Sequence, residues 1–226
     1  MMFEKTNFLL TRLTALTSLA KTIPPHLVLG SAPNPCLPTK RFDSLALVCV
    51  NGSGWPAKQL GLPIPDLTVM SGGTLTLPQE EKTRACLRGL RTKNLLVLTV
   101  GVEPTQAKNI LRELDYTYEQ IAYMRYDKRA RVIKAVTARN LGRGDREKSK
   151  ISNGLFAACL AFYRGAPEVI LAGISLSADG RAYSTSLDKR FHVKPDGEAI
   201  RAMQQRKLRL YTSEPALAQI CGIDLV

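Results

Sequence analysis

Short runs of continuous apolar residues constrain the fold of this 226-residue chain more than any other feature. Typical runs are LALVCV at 45–50 and LLVLTV at 95–100. A strand that is apolar at every position is covered on both faces, and this burial is characteristic of a parallel sheet between layers of helices. The pattern predicts six such strands, at 26–30, 45–50, 67–70, 95–100, 168–173 and 208–211.

Segments with helical spacing of apolar residues alternate with these runs. They lie at 5–22, 78–90, 105–114, 148–165, 196–206 and 214–221. Alternation of strands and helices favours βαβ units, which place helices on both sides of the sheet. We therefore predict a Rossmann-like α/β fold with a mostly parallel sheet, built from one domain that covers 1–226.

Two segments differ from the rest of this pattern. In the N-terminal stretch 1–25, apolar residues recur at spacings of four and three and predict an amphipathic helix. This helix either packs on the domain or lies on a membrane surface. The stretch 115–148 is rich in Tyr and Arg. It reads either as a solvated basic insertion or as a lid that meets an anionic substrate.

The charge of the chain indicates anionic partners. Lys and Arg outnumber Asp and Glu by 32 to 19, a net charge of +13, which attracts phosphate-bearing ligands, anionic membranes or polyanions. No nucleic-acid-binding motif is present, so nucleic acid is not an expected partner. Five cysteines without a CxxC pair indicate a reducing compartment. We expect a cytoplasmic protein that can associate peripherally with the inner face of a membrane and can form a homo-oligomer.

Small residues follow three of the predicted strands. The loops are LGSAP at 29–33, VNGSG at 50–54 and AGISLS at 172–177. The carboxyl ends of parallel strands share one edge of the sheet, where ligands bind in this class of fold. Glycine permits close approach of the backbone to a ligand, and Asn51 adds a side-chain amide. Each loop is also explained by the steric needs of a tight turn, so only their combination predicts a binding site.

Several common kinds of binding and catalytic site are excluded because their motifs are absent. The first loop has neither GxGxxG nor GxxxxGK[ST], which excludes the usual dinucleotide and P-loop sites. We find no HExxH motif and no Cys/His cluster, so we expect neither a metal nor another cofactor. His192, in FHVKPD, is a candidate proton acceptor, and Tyr183, in ADGRAYS, is a candidate phosphate ligand. A bystander loop histidine and a packed tyrosine are the ordinary alternatives.

Five segments, taken in order, resemble the bacterial sialyltransferases of glycosyltransferase family 42. They are LGSAP, VNGSG, KISNGLFAACLAFYRGAPEVILAGISLSADGRAY, FHVKPDGEAIRAM and LRLYTSEPALAQI, and the resemblance is densest from Lys150 onward. It implies the GT-A variant of the Rossmann-like fold. It also implies metal-independent transfer of sialic acid, or a related sugar, from a CMP-activated donor to a hydroxyl of a glycan acceptor.

The same resemblance assigns roles to individual residues. His192 is expected to take the proton of the acceptor hydroxyl, and Tyr183 to contact the leaving phosphate. The residues expected to bind the nucleotide sugar are Gly30, Ser31, Asn51, Gly52, Ser152, Asn153, Gly154 and Ser175. For the segment SNG at 152–154, an ordinary helix cap is the alternative. Two positions depart from the family pattern: Ser177 replaces a second phosphate-binding tyrosine, and Ser175 stands where an acidic residue is often found.

Two other functions fit the residues. The first is a different nucleotide-binding transferase, or a donor hydrolase, on the same fold, and the Ser177 departure favours it. The second is a non-catalytic basic module that binds polyanions or membranes through 125–150 and the N-terminal helix. This module explains the charge of +13 directly, but it leaves the three similar loops without a purpose.

Overall fold

The described part of the chain, in a computed structural model, comprises residues 23–39, 44–141, 150–183 and 192–226. Its strands, in chain order, are β1 His26–Leu29, β2 Ala46–Val50, β3 Leu67–Ser71, β4 Arg91–Leu98, β5 Thr117–Met124, β6 Val169–Ala172 and β7 Leu210–Thr212. They form one sheet in the order β5-β4-β3-β2-β1-β6-β7, and all neighbouring pairs are parallel. The predicted Rossmann-like α/β fold is confirmed.

The strand order places a crevice between β1 and β6. From β1 the chain moves outward strand by strand to β5, and then returns to the other side of β1 to form β6 and β7. The connections that leave β1 and β6 therefore run in opposite directions. Such a reversal leaves a crevice at the carboxyl edge, where ligands bind in open α/β sheets.

Helices cover both faces of this sheet. They are α1 Gly54–Gln59, α2 Gly72–Thr76, α3 Glu81–Leu87, α4 Pro104–Glu113, α5 Tyr126–Thr137, α6 Asn153–Tyr163, α7 Val193–Gln205 and α8 Pro215–Cys221. Helices α5, α6 and α7 pack on the face that presents Val28 and Val48. The opposite face presents Leu27, Leu29 and Met70, and it is covered by α1, α2, α3 and α4. Helix α6 is buried from Gly154 to Ala161 because it crosses the middle of the sheet.

The interpretation of 115–148 as a basic insertion or lid is wrong for most of the segment. Thr117–Met124 is strand β5, paired with β4 along its length, and α5 buries Val132 and Ile133 in the core. The strand has a polar sequence because it lies at the edge of the sheet, where three of its eight residues are exposed and only Met124 is buried. Residues 142–149 and the helix predicted at 5–22 lie outside the described residues. In the described ranges no helix is both long and apolar enough to cross a membrane.

Candidate functional site

The ends of β1 and β6 touch through their backbones at the crevice. The Gly30 N–H donates to the carbonyl of Ala172 at 2.7 Å, and the Ala32 N–H donates to the carbonyl of Gly173 at 2.8 Å. A Cβ atom on Gly30 would lie 2.3 Å from the Gly173 carbonyl oxygen, and Gly173 itself has a φ of +60°. The glycines therefore allow the predicted nucleotide loop to lie directly against the end of β6.

Asn51 joins three segments at the same edge. It has a φ of +49°, a conformation that asparagine adopts more readily than most residues. Its Oδ1 atom accepts hydrogen bonds from the Ser71 N–H at 2.9 Å and from Nδ2 of Asn153 at 3.3 Å. Two of the predicted site residues, 102 positions apart in the sequence, are thus in direct contact.

Tyr183 packs against Gly52 and Ser31. A Cβ atom on Gly52 would lie 2.9 Å from Cε1 and Cζ of the tyrosine ring, and the Ala182 N–H donates to the Ser31 carbonyl at 2.9 Å. Burial raises the pKa of Tyr183, and the nearby Arg181 and a hydrogen bond with Ser31 only partly offset this. The hydroxyl therefore stays protonated at neutral pH and is able to donate a hydrogen bond.

A charged clamp holds the segment that carries Tyr183. Arg181 donates to both carboxylate oxygens of Glu80, at 2.5 and 2.8 Å, and to the Thr83 hydroxyl at 2.8 Å. This paired geometry is the strongest that arginine and a carboxylate form. The clamp could not be predicted from the sequence, because its two charged partners are 101 residues apart and neither lies in a motif.

The first turn of α6 contributes Ser152, Asn153 and Gly154. The Ser152 hydroxyl accepts from the Leu155 N–H at 3.2 Å, so its side chain serves as the helix cap that the sequence left as an alternative. A Cβ atom on Gly154 would lie 2.9 Å from Cδ1 of Ile174. Glycine is needed there because α6 lies so close to the segment that follows β6.

His192 precedes α7, and its ring is fixed by a backbone carbonyl. Its Nδ1 atom lies 2.6 Å from the carbonyl oxygen of Lys150. A carbonyl only accepts hydrogen bonds, so Nδ1 carries the proton, and Nε2 of the neutral ring has a lone pair. This is the tautomer that a general base needs.

A cavity of about 40 Å³ lies beside this ring, lined by Ser152, Ser175, His192, Val193 and Asp196. The Ser175 hydroxyl accepts from the N–H groups of Ser177 and Ala178, at 3.1 and 2.8 Å, and so stabilises the turn after β6. Asp196 is 1% exposed and was missed by the sequence analysis. It lies one helical turn after His192, and acidic residues are common in the first turn of a helix, so the sequence gives no sign of a role for it.

The structure thus places the ten predicted site residues along one edge of the sheet, linked by a series of contacts. Gly30 meets Gly173, Ser31 and Gly52 meet Tyr183, Asn51 meets Asn153, and Ser152 and Ser175 share the cavity of His192. Their catalytic and binding roles stay predictions. Across the described ranges, no three His, Cys, Asp or Glu side chains lie close enough to hold a metal ion.

Comparison with known proteins gives matches in fold only. No family model matches the chain, and no curated protein matches it. The sialyltransferase CstII from Campylobacter jejuni, in complex with the substrate analogue CMP-3FNeuAc, superposes with a TM-score of 0.58 at 13% identity, over 89% of this chain and 86% of that chain. The monofunctional α-2,3-sialyltransferase Cst-I from the same organism gives 0.57 at 13% identity, over 92% and 82%.

A CstII complex with CMP and a trisaccharide acceptor gives a TM-score of 0.54 at 15% identity, over 88% of this chain and 85% of that chain. These superpositions cover most of both chains. The chain therefore has a sialyltransferase-like fold, as its motifs predict.

Proposed function

We propose that this protein is a glycosyltransferase that moves sialic acid, or a related sugar, from a CMP-activated donor to a glycan hydroxyl. One observation carries the proposal: the Nδ1–H of His192 is fixed on the Lys150 carbonyl beside a cavity at the carboxyl edge of the sheet. The fold supports it, because similar structures include sialyltransferases bound to CMP, to CMP-3FNeuAc and to a trisaccharide acceptor.

The proposed reaction is a displacement at the anomeric carbon of the donor sugar. The acceptor hydroxyl gives its proton to Nε2 of His192 while its oxygen forms a bond to the anomeric carbon. The bond from that carbon to the phosphate oxygen breaks, and CMP leaves with the bonding electrons. The neutral Tyr183 hydroxyl donates a hydrogen bond to the charge that develops on the phosphate. No step requires a metal ion, so turnover is expected to be unchanged by EDTA.

The direct test replaces His192. The variant His192→Ala is expected to lose sugar transfer and to keep both its fold and its affinity for CMP. General-base catalysis contributes about 10²- to 10⁴-fold in rate, so the loss is measurable in an assay of CMP release. His26→Ala is the matched control. His26 is the other histidine of the chain, and it lies at the start of β1, at the amino-terminal edge of the sheet and away from the candidate site. Turnover of His192→Ala at the wild-type rate would remove His192 from the mechanism.

The nucleotide is tested separately by thermal unfolding with CMP, UDP and GDP. A ligand at about 100 times its dissociation constant adds about 2.7 kcal/mol of stability. Only CMP is expected to raise Tm. A larger rise with UDP or GDP would redirect the proposal to another donor.

Donor hydrolysis is the second candidate, and the exposed Ser177 favours it. This residue stands where a second phosphate-binding tyrosine is expected, and its N–H is occupied by the Ser175 hydroxyl. Measurement of CMP release with and without a glycan acceptor separates the two reactions. Release that does not depend on acceptor identifies a hydrolase.

Peripheral binding to an anionic membrane remains a prediction from the net charge, and sedimentation with anionic vesicles at low salt tests it.

A further inference from the structure

Three consecutive residues before α6 are held in place by side chains of α5, of α7 and of the residue that precedes α7. The Lys150 carbonyl accepts from Nδ1 of His192 at 2.6 Å. The Ile151 carbonyl accepts from Nη2 of Arg129, on α5, at 2.7 Å. The Ser152 N–H donates to Oδ1 of Asp196, on α7, at 2.7 Å. The peptide that orients the histidine is therefore itself fixed at the next two residues.

Arg129 and Asp196 are both buried. Arg129 is 9% exposed, and its guanidinium lies over the ring of Phe156, 5.0 Å from the ring centre. Burial lowers the pKa of Arg129 to about 10, and the attraction of Tyr126 and Asp196 limits the fall, so the side chain is a cation at neutral pH. Asp196 is 1% exposed.

Buried charges of this kind are a poor source of stability. The loss of hydration commonly cancels the attraction between them, and apolar residues of similar volume often serve stability as well or better. In the described part of the chain, Nε of Arg129 also has no hydrogen-bond partner. The pair is therefore better explained by the geometry that it imposes on the peptide than by a gain in folding energy.

We infer that Arg129 and Asp196 are positioning residues for His192, an inference that rests on the proposed function. They hold the peptide 150–152 so that the Lys150 carbonyl meets the Nδ1–H of His192 and Nε2 is left available at the cavity. The Asp196 N–H also donates to the His192 carbonyl at 2.9 Å, a backbone bond in the first turn of α7 that fixes the carboxylate relative to the histidine. Neither residue needs to touch the sugar or the nucleotide to affect the reaction.

The tautomer of His192 gives a test that does not depend on activity. The chain has only two histidines, and the variant His26→Gln leaves His192 as the single one. Nitrogen-15 NMR of this labelled protein, at about pH 8.5 where an ordinary imidazole is neutral, distinguishes a protonated Nδ1 from a protonated Nε2. In the His26→Gln protein without a further substitution, we expect the Nδ1–H tautomer.

Two variants remove the supports of the peptide, and a third restores one of them. Arg129→Met and Asp196→Leu, which leave the Ile151 carbonyl and the Ser152 N–H without their side-chain partners, are expected to give a mixture of tautomers. Their kcat is expected to fall at least tenfold, within the limit of the about 10²- to 10⁴-fold contributed by a general base, with KM for the donor nearly unchanged. Arg129→Lys keeps the charge and one donor for the Ile151 carbonyl, so it should recover much of both properties. Lys134→Met, exposed on the same helix, is the matched control and should behave as wild type.

The outcomes separate this inference from the proposed function. A folded Arg129→Met or Asp196→Leu with the wild-type tautomer and the wild-type kcat would refute it. If one of these two variants does not fold, the other decides by the same two measurements. If neither the wild-type protein nor any variant transfers sugar, the proposed function fails. The tautomer alone then still decides whether the two residues position His192.

Discussion

Gly52→Ala is a sharp test of the placement of Tyr183, because a single added methyl group meets the tyrosine ring. The new Cβ would lie 2.9 Å from Cε1 and Cζ of Tyr183 and 3.2 Å from Cγ2 of Thr83. Ordinary contact between carbon atoms is about 3.5–4.0 Å, so the ring must retreat by roughly 0.5–1 Å. Tyr183 is only 9% exposed and packed from several sides, which makes this movement costly.

The magnitude follows from two opposing terms. Overpacking a buried contact costs about 1–3 kcal/mol, and replacing glycine by alanine recovers about 0.4–1 kcal/mol by restricting the unfolded chain. The net effect is a loss of about 1–2 kcal/mol in the free energy of unfolding. For a chain of this size that corresponds to a fall in Tm of about 2–8 °C. A shift of the Tyr183 hydroxyl by close to 1 Å should also reduce donor turnover by about 10- to 100-fold.

Calorimetry and an assay of CMP release measure both effects, and Gly54→Ala is the matched control. A Cβ atom at Gly54 would lie 3.4 Å from Cδ1 of Leu90, which is ordinary contact, so this variant should keep Tm and turnover. In a Tyr183→Leu background the ring is gone, and the cost of Gly52→Ala should largely disappear. An equal cost of Gly52→Ala in both backgrounds would refute the argued packing of Tyr183 on Gly52.

Three further expectations concern two carboxylates. Glu80→Gln breaks the charged pairing with Arg181 and is expected to lower the free energy of unfolding by about 1 kcal/mol, measured in urea, since the pair is partly exposed. Burial raises the pKa of Glu80, but the hydrogen bonds from Arg181 lower this pKa by a larger amount. The folded value therefore lies below the ordinary 4.5. The stabilisation from this carboxylate is therefore complete above about pH 4.5 and is lost as the pH falls through the folded pKa, a dependence that Glu80→Gln should lack in urea titrations. Glu214→Ala leaves the N–H groups of Gly173 and Cys36 without their acceptor and should cost about 1–3 kcal/mol in the same assay; an unchanged unfolding curve for this variant would count against the bonds.

The central strands could be predicted from the sequence because their burial leaves a simple pattern. Strands β1 to β4 and β6 lie inside a parallel sheet, so each contains a run of apolar residues that needs no partner to be recognised. Strand β5 was missed because it forms the edge, where Thr117, Glu119 and Gln120 face water. Helices α1 and α2 were missed because each is only five or six residues long and begins with glycine. A helical period is not visible over so short a segment.

The residues of the candidate site likewise divide into those that could be predicted from the sequence and those that could not. Gly30, Gly52 and Ser152 could be found because each lies in a local pattern: a loop of small residues directly after a strand for the two glycines, and a helix cap for Ser152. Arg129 and Glu80 could not be found, since their partners are 22 to 101 residues away. In the sequence a buried charge that supports a site looks the same as a solvated charge on a helix. Only the packing of the helices on the sheet distinguishes the two.

Glu214 adds a constraint on where an anionic ligand is able to bind. Backbone N–H groups at the carboxyl edge of a parallel sheet attract phosphate oxygens. At Gly173 and Cys36 these groups already donate to the same oxygen of Glu214, at 2.6 and 2.9 Å. The protein thus supplies its own anion on the β6 side of the crevice, and a phosphate there would meet a carboxylate. The phosphate of a nucleotide is therefore expected on the other side, near Ser31 and Tyr183, where the carboxylate of Glu80 is already paired with Arg181.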